Sequence, residues 1–582
     1  MLLRFKYPSH TTYFIATIEA VAKSCGVDVD IGYSYPFVYL RAKEDDAFVQ
    51  ALEKELPNSL FLEKVEAAKE FMGQKPPNLP NSVGLCHRCI AEMLDPSSRR
   101  YYYPFTMCKA CGSQASFVER YPLKRQNTLL CVFQPCDDCK EELSSNPWRE
   151  DFALISCLRC NIPVRLANAS GTRVLYANEK EEYKELFGYV AGMLRDGKSV
   201  YMKTLRGSYR FYLAPKEHSK ALLVRPGEEF LMLASEKRAL FSIERPWLHL
   251  THSSGRVYEA AAVWDGFTTL LANELQDYDV LYFDEEPQSD FVLDFDLPIT
   301  PYKPPRLFIN KHKRCFKAGS QGLFPKCTPS QSVAIYDDWV CYEGIVDRIE
   351  HFDEIRAQSV ITFKNEEIEH SQIFRKDFAA TLLGGVLRQN LYTGAAIGVY
   401  FGDEPAFYYF NKSRVAKIFD FNKPHCGSTR KVVERFAELK PKSYARFTQT
   451  DSFLEKAAAL GGLELEEFER LALEFGGKGG VSIDCKIADD GFDYGSFYAS
   501  IMSFLLADTD AKLLAYSVFE SLGEFMSQQA VEVMRKSKAT GIALAGRHCT
   551  NSAFMSRFVR NYPGVLLPIE YPVDDEGVFA GI

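Results

Sequence analysis

Four CxxC pairs fall between residues 86 and 160 of this 582-residue chain: Cys86/Cys89, Cys108/Cys111, Cys136/Cys139 and Cys157/Cys160. A CxxC turn sets two thiolates on one side of an ion, and a second pair some 18 residues later completes a tetrahedron for zinc. The stretches CHRCIAEMLDP…MCKAC and CDDCKEELSSNP…SCLRC repeat with a period near 50 residues. This duplication predicts two structural zinc ions, one held by Cys86, Cys89, Cys108 and Cys111, the other by Cys136, Cys139, Cys157 and Cys160. Crossed pairing between the halves is the less local alternative. Four sulfurs close each site, so the metal is expected to organise the fold and to do no chemistry. A hairpin between the ligand pairs, as in a zinc ribbon, is the expected body.

The chain holds 16 cysteines, and those outside the pairs are scattered, which suits metal ligation in a reducing compartment better than a disulfide framework. Cys341, Cys426 and Cys549 have no base or acid beside them in a nucleophile motif and read as buried thiols. A net charge of −8 argues against a dedicated nucleic-acid binder. The local basic and aromatic run DPSSRRYYYPF still makes Arg99 and Arg100 candidates for an anion contact. No apolar run is long enough for a membrane span, and the opening MLLRFKYPSHTTYF lacks the pattern of a signal peptide, so a cytoplasmic location is expected.

A chain of this length exceeds one hydrophobic core, and its pattern is that of an α/β multidomain protein. Residues 1–72 read as βαββαβ, a ferredoxin-like sandwich, with KPPNLPNS (75–82) as linker. The double zinc module occupies 84–165, and an αβ segment covers 170–296, with a helix from about Glu179 running into the strand SVYMK. The proline-rich stretch 297–308 marks a boundary, and 305–582 is large enough for two α/β lobes, with strands at 396–401 and 541–546 and one long helix over 495–535. FGGKGG (475–480) fails the Walker pattern and reads as a glycine-rich turn.

The ligand spacing CxxC-x18-CxxC-x24-CxxC-x17-CxxC, with DPxxRRYxYPF inside it, resembles the hydrogenase-maturation carbamoyltransferases (HypF), whose last gap is usually one residue longer. The domain order agrees with that resemblance. It implies an acylphosphatase-like unit (1–72), paired zinc ribbons, a shortened YrdC-like domain (170–296) and a carbamoyltransferase domain of the actin-like ATPase type (305–582). The implied reaction forms carbamoyl adenylate from carbamoyl phosphate and ATP. The carbamoyl group then passes to the C-terminal cysteine of a partner protein. A catalytically silent, zinc-stabilised scaffold or binding relative of the family is the alternative.

Departures from the family pattern motivate that alternative. The family's phosphate-cradling GxVQGVGFR loop is replaced by YPSHTTYF (7–14), without its glycines or arginine. In KTLRG (203–207), Lys203 and Gly207 match the family's glycine run while Thr204 and Arg206 replace glycines. EHSQIF (369–374) keeps His370 alone of a metal-binding histidine stretch, and Gly402 and Asp403 stand in reversed order after AIGVYF. ALAGRHCTN (543–551) and YPVDDEGVFAGI (571–582) are similar to the family's nucleotide turns, which makes Gly546, Asn551, Asp575 and Gly577 candidate ATP contacts beside Lys203 and Gly207.

Overall fold

The computed structural model describes residues 1–9, 11–75, 80–119, 123–225, 227, 229–301, 306–309, 314–317, 333–336, 339–342, 354–363, 366–375, 378–411, 414–421, 429–488, 491–569 and 573. The first unit has the expected order β1 (Leu2–Lys6), α1 (Tyr13–Cys25), β2 (Val29–Ser34), β3 (Phe37–Ala42), α2 (Asp46–Glu55) and β4 (Lys64–Ala67). Its antiparallel sheet runs β2-β3-β1-β4, the ferredoxin-like arrangement. Gly26 ends α1 in the left-handed conformation, where a Cβ would be strained, and the Asp45 carboxylate caps α2 by accepting from Phe48 N.

The zinc module follows, with helices α3 (His87–Leu94) and α4 (Asp137–Ser145). A large mixed sheet comes next, built from β5 (Val164–Asn168), β6 (Arg173–Ala177), β7 (Val200–Thr204), β8 (Gly207–Tyr212), β9 (Lys220–Leu223), β10 (Phe230–Leu231), β11 (Trp247–His252), β12 (Val257–Ala262), β13 (Val280–Asp284) and β14 (Phe291–Asp294). Helices α5 (Lys180–Arg195), α6 (Ala234–Leu240) and α7 (Gly266–Glu274) connect its strands.

Successive side chains of a strand point to opposite faces, and here both faces are buried. Leu222, Ala261, Leu281 and Phe283 join α5, α7 and the zinc-module residues in one core. Their neighbours Ala221, Leu223, Ala260, Ala262, Val280 and Tyr282 join Phe14, Ile18, Phe48 and Leu52 of the first unit in another. The sheet is therefore a wall with the fingers packed on one side and the ferredoxin-like unit on the other.

The proline-rich stretch does not end this sheet. Beyond it, β15 (Arg306–Ile309) pairs in parallel with β11, and β16 (Arg314–Lys317) adds an outer strand. An antiparallel sheet then follows from β17 (Val333–Tyr336), β18 (Trp339–Tyr342), β19 (Glu354–Phe363) and β20 (Glu366–Arg375). Cys341 lies on β18 and His370 on β20, opposite Ser359, while Cys426 falls outside the described residues.

The described residues from 378 onward form an α/β lobe. After α8 (Phe378–Gln389), its sheet runs in the order β23-β22-β21-β26, from β21 (Ala396–Tyr400), β22 (Ala406–Asn411), β23 (Arg414–Asp420) and β26 (Gly541–Ala545). Helices α9 (Arg430–Leu439), α10 (Pro441–Gln449), α11 (Phe453–Leu460) and α12 (Leu465–Glu474) precede the small hairpin β24 (Ile487–Ala488) and β25 (Gly491–Phe492). The expected long helix is two, α13 (Tyr494–Leu506) and α14 (Ala511–Ser537), and α15 (Ser552–Asn561) follows β26. The break has a local cause: Asp508 adopts a positive φ, and the Asp510 carboxylate accepts from Lys512 N and Leu513 N to start a new helix. No helix among the described residues is long and apolar enough to cross a membrane.

Candidate functional sites

The eight cysteines assemble into two clusters with the local pairing, Cys86/Cys89/Cys108/Cys111 and Cys136/Cys139/Cys157/Cys160. Neighbouring sulfurs stand 3.6–3.9 Å apart. That is too far for a disulfide, while four sulfurs about 2.3 Å from zinc lie about 3.8 Å from one another. The donor set and its size fit zinc at both places. Cys86 and Cys136 are the N-cap residues of α3 and α4, so the first pair of each site lies at a helix N-terminus, where the backbone dipole favours thiolate. The body of each finger is thus a helix followed by turns, and not a hairpin.

Arg99 and Arg100 do meet anions, and these belong to the module itself. Arg99 Nη1 lies 3.3 Å from Cys139 Sγ, and its Nη2 pairs with Glu142 at 2.8 Å. Arg100 is 1% exposed; its guanidinium donates to Glu92 Oε1 at 2.7 Å, to Glu142 Oε2 at 2.8 Å and to the Ser156 carbonyl at 2.8 Å. Burial works against the Glu142 carboxylate, yet Arg100 and Arg99 hold its pKa down to about 2.

Arg149 bridges the same two carboxylates. It is the repeat counterpart of Arg100: each stands eight residues before the third ligand of its finger, and Glu92 and Glu142 each stand six residues after the first. Tyr102 and Asp151, two residues further on, share the same left-handed φ. The two fingers are therefore cross-braced by a four-charge cluster with pseudo-twofold symmetry. The basic and aromatic run DPSSRRYYYPF marks Arg100, whereas no such run surrounds Arg149, and anchoring the repeat on the first CxxC shifts the register by one. Anchoring it on the second would have paired them.

The turn 203–207 is filled from within. Lys203 Nζ donates to the carbonyls of Phe295 and Leu297 at 3.0 and 2.8 Å, and Asp294 lies 3.4 Å away. Arg206, standing where the family has a glycine, is fully buried, with its guanidinium against Ser113 Oγ and the carbonyls of Glu244 and Arg245. The Asp265 carboxylate accepts from Leu205 N at 2.7 Å. Gly207 has φ 140°, and a Cβ there would strike the Tyr209 ring.

A second site lies where the large sheet meets the C-terminal lobe, as a cleft of about 200 Å³. Lys220 and Glu259 of the sheet, and Arg256 just before β12, face Glu469 and Arg470 of α12 and Asn551 at the start of α15. Asn551 caps α15, accepting from Ala553 N at 3.1 Å. Gly546 fits for a steric reason: at φ 121° its Cβ would lie 2.4 Å from the Phe401 carbonyl. This close approach brings His548 beside the end of β21.

His548 is buried there, with Nδ1 2.9 Å from Glu469 Oε1 and Nε2 3.8 Å from Asp403 Oδ1. Arg547 pairs with Asp403 at 2.5 Å. Burial opposes the imidazolium, but the Asp403 and Glu469 carboxylates prevail and raise its pKa above the usual value. No motif marked His548 or Glu469, which meet across 79 residues of sequence. Asp575 and Gly577 lie outside the described residues, as does the side chain of His370. The glycine-rich turn at 475–480 is held by Glu520, which accepts from Gly480 N at 2.8 Å. Cys549 is buried.

Residues 85–118 match the family model described as the HypF finger. A "Probable carbamoyltransferase HypF" of Methanocaldococcus jannaschii is 29% identical over 112 residues, 16% of this chain and 15% of that protein. A "Carbamoyltransferase HypF" of Rhodobacter capsulatus is 28% identical over 158 residues, 26% of this chain and 20% of its own length. The aligned stretches thus span well under two thirds of these relatives. Among solved structures, T. kodakarensis HypF aligns over 100% of this chain and 97% of its own, with TM-score 0.70 and 14% identity. A full-length HypF in its phosphate- and nucleotide-bound form aligns over 100% and 97%, with TM-score 0.63 and 14% identity.

Proposed function

We propose, from the premise that this chain belongs to the HypF family, that it serves [NiFe]-hydrogenase maturation as a carbamoyltransferase, with the cleft between sheet and lobe as its reaction chamber. What carries this reading is the joint retention of the two-zinc module and of a full-length fold match at TM-score 0.70. In the reaction, water hydrolyses carbamoyl phosphate to carbamate and inorganic phosphate, and a carbamate oxygen then attacks the α-phosphorus of ATP as pyrophosphate leaves. The thiolate of a partner's C-terminal cysteine then attacks the carbamoyl carbon, and AMP leaves with the electrons of the broken bond.

The chain's own residues supply charge and a proton path. Arg256, stacked on Tyr258, is the cleft cation assigned to phosphate, since Lys220 pairs with Glu259 and Glu285, and Arg470 pairs with Glu467 and Glu474. Glu469 lines the cleft and is backed by His548, so a proton taken from the thiol has a place to go.

A second reading, a catalytically silent scaffold of the same family, is favoured by one observation: the Lys203 ammonium is already satisfied by two carbonyls and a carboxylate. Purified full-length protein given ATP and carbamoyl phosphate separates the two. The enzyme forms AMP and pyrophosphate only when both are present, and Arg256→Ala raises the KM for ATP about tenfold. Folded, zinc-loaded protein that forms no AMP supports the scaffold.

A further inference from the structure

The first unit and the large sheet meet at a buried carboxylate. Glu244, in the segment after α6, is 6% exposed and reaches into the ferredoxin-like unit beside the loop that joins β1 to α1. Its Oε1 accepts from Ser59 Oγ at 2.6 Å and lies 2.5 Å from the Tyr13 hydroxyl, while Oε2 accepts from Leu60 N at 3.0 Å. Tyr13 is fully buried and Ser59 is 4% exposed, so neither hydroxyl turns to water.

Behind this ring, Tyr7 bonds Thr11 Oγ1 at 2.6 Å and Ser9 Oγ lies 2.8 Å from the same atom, and the Tyr7 and Tyr13 rings meet edge to face. Burial, and then the Glu244 charge, drive both phenols far above their ordinary pKa, which keeps them protonated as donors. Backbone hydrogen bonds at Ile243 frame the contact: its N–H donates to Asn58 O at 2.8 Å, and its carbonyl accepts from Gly84 N, at the start of the zinc module, at 2.6 Å.

A buried carboxylate is tolerated only where donors replace its water, and here three converge on two oxygens. We propose that the first unit contains an anion pocket shaped for a single carboxylate, and that Glu244 of the same chain is its resident ligand. Phosphate would bring further oxygens and a second charge, and loop 7–14 lacks the glycines that let backbone N–H groups close on a phosphate. The pocket is thereby an internal clasp between the first unit and the segment after α6. This inference does not depend on the function proposed above.

Chemical rescue of the full-length protein tests it. Glu244→Ala should lower the melting temperature of the unit by about 5 °C. Sodium formate in excess should restore more than half of that loss, sodium chloride at equal ionic strength and inorganic phosphate should restore none, and the native protein should respond to none of them. The paired substitution Tyr13→Phe with Ser59→Ala keeps Glu244 and removes two hydroxyls; it should lose a similar amount, which formate does not recover. Native melting in both variants, or no recovery of Glu244→Ala by formate, overturns the proposal. Equal recovery by phosphate overturns its selectivity for a carboxylate.

Discussion

Cys139→Ala is expected to lower the zinc content from two ions to one per chain and to unfold the second finger together with the surface it packs on. Zinc held by four thiolates contributes about 10 kcal/mol or more to a small module that has no other staple. Cys139 and Cys157 are buried in the same core as Leu186, Phe187 and Leu281 of the large sheet and its helices, so the damage should not stay local. Elemental analysis gives the stoichiometry, and limited proteolysis gives the extent: cleavage should spread beyond 136–160 into the strands that follow. A strong chelator should reproduce the effect at both fingers. Metal-free protein that melts like the native chain would show that the sulfurs are ordinary core thiols.

Arg149→Met should destabilise the zinc module by about 3 kcal/mol, because it takes from Glu92 one of its two arginines and leaves Arg100 as the one buried arginine between Glu92 and Glu142, with Arg99 reaching Glu142 from the surface. Replacing all four charges together, Arg100 and Arg149 by Met and Glu92 and Glu142 by Leu, should cost less than that single change. No carboxylate is then stranded, and the desolvation penalty of the cluster disappears with it. Urea-unfolding midpoints of the two variants decide the matter. A fourfold variant weaker than Arg149→Met would mean that the charges themselves, and not their mutual neutralisation, hold the fingers together.

The same contrast runs through the site residues. Lys203 and Gly207 were found because they keep family positions in a short run, and the structure explains the glycine by the Tyr209 ring behind it. What Lys203 touches was not readable: Phe295 and Leu297 lie more than 90 residues away in sequence, and no composition signal ties a carbonyl to a lysine. Gly546 and Asn551 were legible as a turn similar to the family's, whereas the buried His548 between them drew no notice, since a lone histidine carries no pattern. The long helix expected over 495–535 is broken for a local reason that the sequence does contain: the run Asp508-Thr509-Asp510 is a strong helix-start signal.

By itself, then, the sequence determined the metal ligands, their pairing into two sites, the duplication, and the βαββαβ order of the first unit. Each of these is written in short-range spacing, where chain geometry leaves few alternatives. Tertiary structure alone decided that the large sheet is buried on both faces, that Arg149 crosses to Glu92, that Glu469 backs His548, and that Glu244 fills the first unit. Those contacts join residues 57 to 231 positions apart, and a buried charge chooses its partner by the donors that folding brings to it, which no local pattern records.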